Sequence, residues 1–217
     1  MIRPDWQAPA NIVAGTALVD TPENALPDRL VLLNQVHGDR VVTVADLRAS
    51  ATPVDADAVT GGQPGDVCAV RTADFLPVLF CSRRGNEIAA AHAGWRGLSA
   101  GVLENTVATL HTAPGDLLAW LGPAISQANF EVGGEVRDAF MAHDPGAAGC
   151  FEANARGRWQ ADLYALARRR LHAAGVRVIS GGGWCTYAEP ARFHSYRRDP
   201  DCGRMVSYVA LLSSSQG

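Results

Sequence analysis

Short apolar runs, separated by turns of polar residues, glycine and proline, dominate the hydrophobic pattern of the chain. Runs of this kind without polar alternation are typical of buried strands. They predict strands at Leu30–Leu33, Val41–Val44, Val67–Val70, Val78–Cys81, Ile88–Ala91, Leu117–Leu121, Val176–Ile179 and Met205–Leu212.

Apolar residues recur with the helical period in three later segments. The first runs from Leu98 to Leu110, a short second one covers Val136–Met141, and the third runs from Leu163 to Ala174. Asp162 stands near the start of the third segment and Gly175 follows its end, as expected of helix termini. The pattern therefore predicts three helices.

Strands and helices mixed without a strict βαβ alternation predict an α/β or α+β fold, with a mixed sheet covered by helices. The chain has 217 residues, of which 47% are hydrophobic, enough for a substantial core. Because no linker marks a boundary, we expect a single domain over residues 1–217. Within it, residues 1–30 are weakly patterned and residues 213–217 are expected to fray.

The formal net charge of −3 gives no electrostatic reason to expect nucleic acid or an anionic membrane as a partner. No apolar run approaches the roughly 20 residues of a membrane span. All 19 basic residues are arginine. The absence of lysine excludes Schiff-base, P-loop and pyridoxal-phosphate enzymes. The sequence gives no indication of oligomeric state.

The start of the chain and its cysteines both bear on location. Residues 1–6 lack the apolar region of a signal peptide, so export is not expected. The five cysteines are widely spaced and form no C-x-x-C pair, which favours free thiols in a reducing compartment. We therefore expect a cytoplasmic protein.

The segment His92–Gly97 carries the densest group of candidate functional side chains. A buried strand delivers His92 at its carboxyl end, and two glycines flank Trp95 and Arg96 in the turn that follows. Polar side chains at strand ends commonly face a ligand crevice in α/β folds. The alternative is a core histidine whose ring is satisfied by a backbone carbonyl.

Other candidates lie in three separate loops. His37 lies in a short polar loop between apolar runs and is either functional or an ordinary turn histidine. Asp74 joins two buried strands, where it caps backbone N–H groups or orients a histidine. Arg197 and Arg198 follow a polar loop, and their guanidinium forks suit a phosphate or carboxylate ligand or a surface ion pair.

The segment Gly97–Gly101 matches the G-x-S-x-G pattern of esterases. A nucleophile elbow needs its serine on the sharp turn between a strand and a helix. Ser99 already lies in the helical pattern, which disfavours an esterase.

Several motifs in order, from about Leu30 to the C-terminus, resemble the YfiH/laccase-domain family. They are Asn34–Gly38, Thr72–Phe80, His92–Gly97, Trp120–Ile125, Phe130–Gly133, Cys185–Thr186 and Ser195–Asp199.

The resemblance implies an α/β sandwich related to cytotoxic-necrotizing-factor-like hydrolases. Members of the family are described as purine nucleoside phosphorylases with adenosine deaminase and methylthioadenosine phosphorylase activity. Others are described as multicopper polyphenol oxidases or as peptidoglycan-precursor editing amidases. The family site is a metal, usually zinc, held by His-Cys-His, and the resemblance assigns its two histidines to His37 and His92.

Phe75 departs from the family pattern at the third ligand. The family reads A-D-C-x-P-V where this chain reads Ala73–Val78, with Phe75 at the position of the cysteine. A phenyl ring has no lone pair for a metal, and the thiolate charge that would offset Zn²⁺ is lost. We therefore expect zinc to be weakly bound or absent at this site, and copper to be less suited still.

The N-terminal region is the second departure. The family has a Ser-Thr-Arg-x-Gly-Gly segment and a long connection, where this chain has Gly15–Asp20 and a short stretch to Leu30. The missing part would wall the substrate pocket. Both departures affect the same site.

The leading interpretation is phosphorolysis or hydrolysis of a purine nucleoside such as adenosine, inosine or methylthioadenosine. His37 and His92 would hold a weak metal or act as acid and base, and Asp74 would orient a histidine. Substrate and phosphate would contact Trp95, Arg96, Arg197 and Arg198. The alternatives are a nucleoside-binding paralogue without catalysis, a cell-wall precursor amidase and a polyphenol oxidase.

Overall fold

The structure, a computed structural model, describes residues 1–28, 30 and 32–213. In this part of the chain, six strands form a central mixed sheet. They are β2 (Val41–Thr43), β3 (Ala58–Gly61), β5 (Leu76–Ser82), β6 (Ile88–Ala93), β7 (Leu117–Leu121) and β11 (Val178–Gly181). Their order across the sheet is β11-β7-β5-β6-β3-β2. The outermost pairs, β11–β7 and β3–β2, are parallel and the inner pairs are antiparallel.

A second, antiparallel sheet covers one face of the central sheet. Its strands are β1 (Ile12–Thr16), β4 (Val67–Thr72) and β12 (Met205–Leu211), with β12 in the middle. Cys68 and Val209 of this sheet share a buried cluster with Leu79 and Trp120 of the central sheet. The two sheets therefore form a sandwich.

Helices cover the opposite face of the central sheet. They are α2 (Trp95–Ala100), α3 (Val102–Thr109), α4 (Gly134–Met141) and α5 (Leu163–Ala173). A further helix, α1 (Val44–Ala49), buries Val44 and Leu47 in the cluster between the two sheets. Leu103 of α3 and Leu166 of α5 pack in one cluster with Phe80 of β5, whose neighbour Leu79 faces the other sheet, as strand alternation requires. The predicted mixed sheet covered by helices is confirmed.

A small sheet accompanies α4 beside the central sheet. It contains β8 (Glu131–Val132), β9 (Phe151–Ala153) and β10 (Trp159–Ala161), in the order β8-β10-β9. Short 3-10 turns lie at Glu23–Ala25, Pro114–Asp116, Gln127–Asn129 and Pro145–Cys150. Within the described ranges, none of the helices combines the length and apolar character that a bilayer crossing requires.

The predicted helix from Leu98 to Leu110 is two helices, because Gly101 interrupts it. Gly101 has a φ of 110°, in the left-handed region, and its N–H donates to the carbonyl of Gly97 as α2 ends. The first helix also begins earlier than predicted, at Trp95, directly after Gly94. Trp95 and Arg96 therefore lie on a helical first turn.

Two predicted strands also need correction. The strand expected at Val41–Val44 ends at Thr43, because Thr43 and Asp46 form a capping box that starts α1. The strand expected at Leu30–Leu33 includes Val31, which lies outside the described residues, and its described members belong to no strand. Leu30 and Leu32 pack instead against the outer face of the three-stranded sheet. Of the tail expected to fray, residues 214–217 lie outside the described residues.

Candidate active site

A cavity of about 1010 Å³ opens where β6 ends and α2 begins. Its wall is shared by the loop before β2, the joint between β4 and β5, the first turn of α2, the start of α4 and the loop before β12. Most residues predicted from the sequence lie on this wall, namely His37, Asp74, Phe75, His92, Trp95, Arg96 and Arg197.

The rings of His37, His92 and Phe75 form a triangle at this cavity. The centroids of the two imidazoles are 5.0 Å apart. The phenyl ring of Phe75 lies 5.5 Å from His37 and 5.7 Å from His92. The structure therefore brings together the two predicted histidines, with an aromatic ring rather than a sulfur donor as their third neighbour.

Asp57, which the sequence analysis missed, is the residue that holds both histidines. Its side chain is fully buried, and its Oδ1 atom lies 2.8 Å from Nδ1 of His92. The same carboxylate accepts from the backbone N–H groups of Val36, His37 and Gly38, at 3.2, 3.0 and 2.7 Å. One carboxylate thus fixes the imidazole of His92 and the loop that carries His37.

A weak signal for Asp57 was present in the sequence. An acidic residue directly before the apolar run of β3 has to be either exposed or paired when the strand is buried. The pairing partners are distant in the chain, however, because His92 is 35 residues away. Only the antiparallel pairing of β3 with β6 brings Asp57 and His92 together.

The charge states of this group follow from its contacts. Burial alone would raise the pKa of Asp57, but hydrogen bonds from His92 and from the N–H groups of Gly38 and Val36 outweigh burial and lower it. Burial and the neighbouring His92 lower the pKa of His37. Near neutral pH, Asp57 is therefore a carboxylate and His37 is a neutral imidazole.

Asp74 holds the loop before β12 rather than a histidine. Its carboxylate accepts from the Thr186 hydroxyl at 2.6 Å and from the backbone N–H of Arg197 at 2.7 Å. Its φ of 93° is in the left-handed region, as is the φ of 61° at His37, so strained backbone occurs at both positions on the cavity. The expected role of Asp74 in orienting a histidine is wrong, because Asp57 contacts the imidazole.

Arg198 does not line the cavity, although the sequence suggested that it contacts substrate. Its guanidinium donates to the backbone carbonyls of Thr186, Tyr187 and Phe193 at 2.8, 2.9 and 2.7 Å. Through these hydrogen bonds the guanidinium of Arg198 joins two loops. Arg197, the neighbouring residue, is the one whose side chain reaches the cavity.

Two glycines allow the close approach of the elements that carry the rings. A Cβ atom at Gly94 would lie 2.9 Å from Cδ2 of Phe75 and 3.3 Å from Nδ1 of His37. A Cβ atom at Gly97 would collide with the carbonyl oxygen of Gly38. The glycines of the His92–Gly97 segment are therefore required by packing at the site.

The donor set at the triangle does not fit zinc or copper. The cation would have two imidazoles, of which His92 uses Nδ1 to contact Asp57, and the third position presents the carbon atoms of Phe75. In the described part of the chain, no group of three His, Cys, Asp or Glu side chains is arranged to hold a metal ion. Three protein donors are the usual minimum for a catalytic zinc site.

Several bacterial proteins that are similar to this chain are named purine nucleoside phosphorylases. A family model described as multi-copper polyphenol oxidoreductase laccase matches residues 8–212. An Escherichia coli (strain K12) protein named purine nucleoside phosphorylase YfiH is 53% identical over 187 residues, covering 86% of this chain and 76% of that protein. A Pseudomonas aeruginosa protein, also named a purine nucleoside phosphorylase, is 46% identical over 240 residues, covering 97% of this chain and 98% of that protein.

Solved structures agree with the fold. A crystal structure of a Neisseria meningitidis protein matches with a TM-score of 0.88 and 41% identity, covering 98% of this chain and 99% of that one. YlmD from Geobacillus stearothermophilus matches with a TM-score of 0.82 and 25% identity, covering 94% and 93%. The alignment with the Pseudomonas protein spans 240 positions, more than the 217 residues present here, so some positions of that relative have no counterpart in this chain.

Proposed function

Because the chain belongs to the YfiH/laccase-domain family, we propose that it binds purine nucleosides and cleaves them by phosphorolysis, as the names of its bacterial relatives describe. The observation that carries the proposal is the pair of imidazoles, His37 and His92, 5.0 Å apart on a cavity that also presents Trp95 and several guanidinium groups. Adenosine, inosine and methylthioadenosine are the proposed substrates.

The proposed reaction transfers a glycosyl group. An oxygen of hydrogen phosphate attacks C1′ of the ribose, and the bond from C1′ to N9 of the purine breaks. The electron pair of that bond leaves with the purine, which takes up the proton that the phosphate loses. The products are the free purine base and ribose 1-phosphate, so the protein needs groups that hold phosphate and move one proton.

The imidazoles can move that proton. A carboxylate only accepts hydrogen bonds, so Nδ1 of His92 carries the proton that faces Asp57, and Nε2 is the ring nitrogen left to exchange a proton. His37 is neutral near pH 7, because burial and the neighbouring His92 lower its pKa. Asp57 is a positioning residue in this scheme, since it acts through the two histidines.

Phe75 weakens the proposed activity relative to members that carry a cysteine. Its ring supplies no ligand and no charge to the site, so no step of the proposed reaction depends on a metal. The same absence of a sulfur donor disfavours the polyphenol oxidase alternative, which needs a copper centre. We propose the cytoplasm as the compartment, because all five cysteines are free thiols.

A second candidate function is nucleoside binding without turnover. The specific observation that favours it is again Phe75, which removes the third donor but adds an aromatic surface 6.3 Å from the ring of Phe130. Aromatic rings are suitable partners for a purine base, with or without catalysis. The two candidates differ only in whether the glycosidic bond breaks.

The test measures phosphate-dependent release of hypoxanthine from inosine, and of adenine from adenosine, by the purified protein. His92→Gln should abolish release, whereas the control His143→Gln, at an exposed position outside the cavity, should not change it. Inosine binding without release by the native protein would establish the second candidate. Failure of both binding and release would contradict both.

A further inference from the structure

Three arginines on the cavity wall each lie against an aromatic side chain of the same wall. The guanidinium carbon of Arg96 is 4.5 Å from the centre of the Trp95 ring. The corresponding distance is 5.6 Å both for Arg197 over Phe130 and for Arg204 over Tyr196. All six of these residues line the cavity. The same pairing therefore occurs three times at this cavity, and in each pair an aromatic ring packs against a guanidinium group.

These guanidinium groups keep their charge available. Among the described residues, none of the three forms an ion pair with a carboxylate, and the polar contacts of Arg197 and Arg204 are chiefly with backbone carbonyls. Arg71, also on the wall, forms no ion pair in the described structure either. Backbone and aromatic contacts orient a guanidinium without neutralising it.

The carboxylates on the wall mostly have other partners. Asp74 accepts from Thr186 and from the backbone of Arg197. Glu131 is bound by Arg156 and by the amide of Asn154, and Arg158 is 3.8 Å from it. Glu135 is the remaining carboxylate of the wall, and it folds back over Gly133 at the start of α4. The wall therefore presents more unpaired positive than negative charge, in a chain whose net charge is −3.

Such a wall suits an anion with several oxygens. A neutral nucleoside offers no charge to three guanidinium groups, whereas a phosphoryl group accepts from guanidinium forks through charge-assisted hydrogen bonds. A free phosphate ion and a phosphoryl group on a ribose share this chemistry. The rings of Phe75 and Phe130, which would face the base of such a ligand, lie on the same wall as the three arginines.

We infer that the arginine–aromatic wall binds a phosphoryl group carried by the ligand, so that the cavity prefers purine nucleotides to neutral nucleosides. The purine part of this inference rests on the proposed function, whereas the phosphoryl part rests on the wall alone. The test compares the affinities of adenosine, AMP and ribose 5-phosphate, and of adenosine with added inorganic phosphate. Calorimetric titration of the native protein measures the first three affinities. His92→Gln, which should not turn adenosine over, is used where adenosine and phosphate are both present.

AMP should bind at least about tenfold more tightly than adenosine, as expected for charge-assisted hydrogen bonds to one phosphoryl group. Arg96→Gln, Arg197→Gln and Arg204→Gln should each reduce that preference. Arg177→Gln is the matched control, because Arg177 is exposed and outside the cavity and loses the same charge. Three separate variants keep the test decisive if one of them folds poorly.

The possible outcomes distinguish the phosphoryl inference from the proposed binding of purine nucleosides. Equal affinity for AMP and adenosine, or an AMP preference that none of the three variants reduces, would overturn the phosphoryl inference and leave the nucleoside proposal standing. Binding of ribose 5-phosphate equal to that of AMP would support the phosphoryl site while contradicting purine recognition. If inorganic phosphate strengthens adenosine binding until it matches that of AMP, the wall is a free-phosphate site and the nucleotide preference is wrong.

Discussion

The Nδ1 atom of His92 lies 2.8 Å from Oδ1 of Asp57, and both side chains are buried. The same carboxylate also holds the backbone of His37. The distance between the two imidazoles is therefore set by one residue that faces neither the cavity nor solvent. A single carboxylate before β3 connects the loop of one histidine with the strand of the other.

Replacing Asp57 by alanine should lower the free energy of unfolding by at least about 2 kcal/mol, because three backbone N–H groups and one imidazole lose their buried acceptor. Urea denaturation measures this loss. Asp57→Asn should retain part of the stability, since its amide oxygen still accepts. An Ala variant as stable as the native protein would show that the carboxylate does not hold the loop.

Gly97→Ala should separate α2 from the loop of His37. The new Cβ atom would meet the carbonyl oxygen of Gly38, which is backbone and cannot rotate away. We expect a loss of roughly 1–3 kcal/mol in stability, together with weaker ligand binding. Gly115→Ala is the control, because a Cβ atom there has no neighbour within 4 Å. Equal effects of the two substitutions in thermal denaturation would contradict the close approach.

Arg197→Ala and Arg198→Ala should affect different properties of the protein, although the two residues are adjacent. Arg198 joins two loops through three backbone carbonyls, so its loss should reduce stability by about 1–3 kcal/mol. Arg197 faces the cavity, so its loss should weaken ligand binding with a smaller effect on stability. Denaturation and titration of both variants separate the two roles. The assignment fails if Arg198→Ala leaves stability unchanged.

Glu87 should make the stability of the protein sensitive to acid. Burial would raise the pKa of Glu87, but hydrogen bonds from Thr112 and His111 outweigh burial and lower the pKa below its ordinary value of 4.5. A carboxylate with a lowered pKa in the folded state stabilises the protein above its unfolded pKa, and this contribution is lost as the pH falls through the folded value. The loss should therefore occur below about pH 4.5.

Glu87→Gln removes the group that titrates. Its unfolding free energy should be lower than that of the native protein near pH 7, and the difference should shrink as the pH falls below 4.5. Urea denaturation at several pH values measures this difference. A constant difference across that range would mean that the pKa of Glu87 is not lowered.

The sequence alone predicted the elements whose apolar pattern is local. The helix over Leu163–Ala173 begins after Asp162, whose side chain caps it, and Gly175 follows its end with a φ of 91°, as the pattern indicated. The split at Gly101 was missed because apolar periodicity continues across it from Leu98 to Leu110. A single glycine in a helical pattern does not reveal that it adopts a left-handed conformation.

The candidate site could be predicted only in part. His37 and His92 were identified because motifs place them, and the structure brings their rings together. Asp57 was missed and Arg198 was misassigned, because their partners depend on strand pairing and loop packing across the molecule. Residue type alone does not distinguish a guanidinium that binds a ligand from one that binds backbone carbonyls.

Phe75 is the third neighbour of the His37 and His92 imidazoles, where its ring offers no metal ligand. The decisive measurement is the zinc content after dialysis against zinc-containing buffer, determined by mass spectrometry. We expect little zinc in the native protein, close to one ion per chain in Phe75→Cys, and little in Phe75→Ser, which has the small side chain without the thiolate. Native protein that retains one zinc per chain, or equal zinc in the Cys and Ser variants, would contradict it.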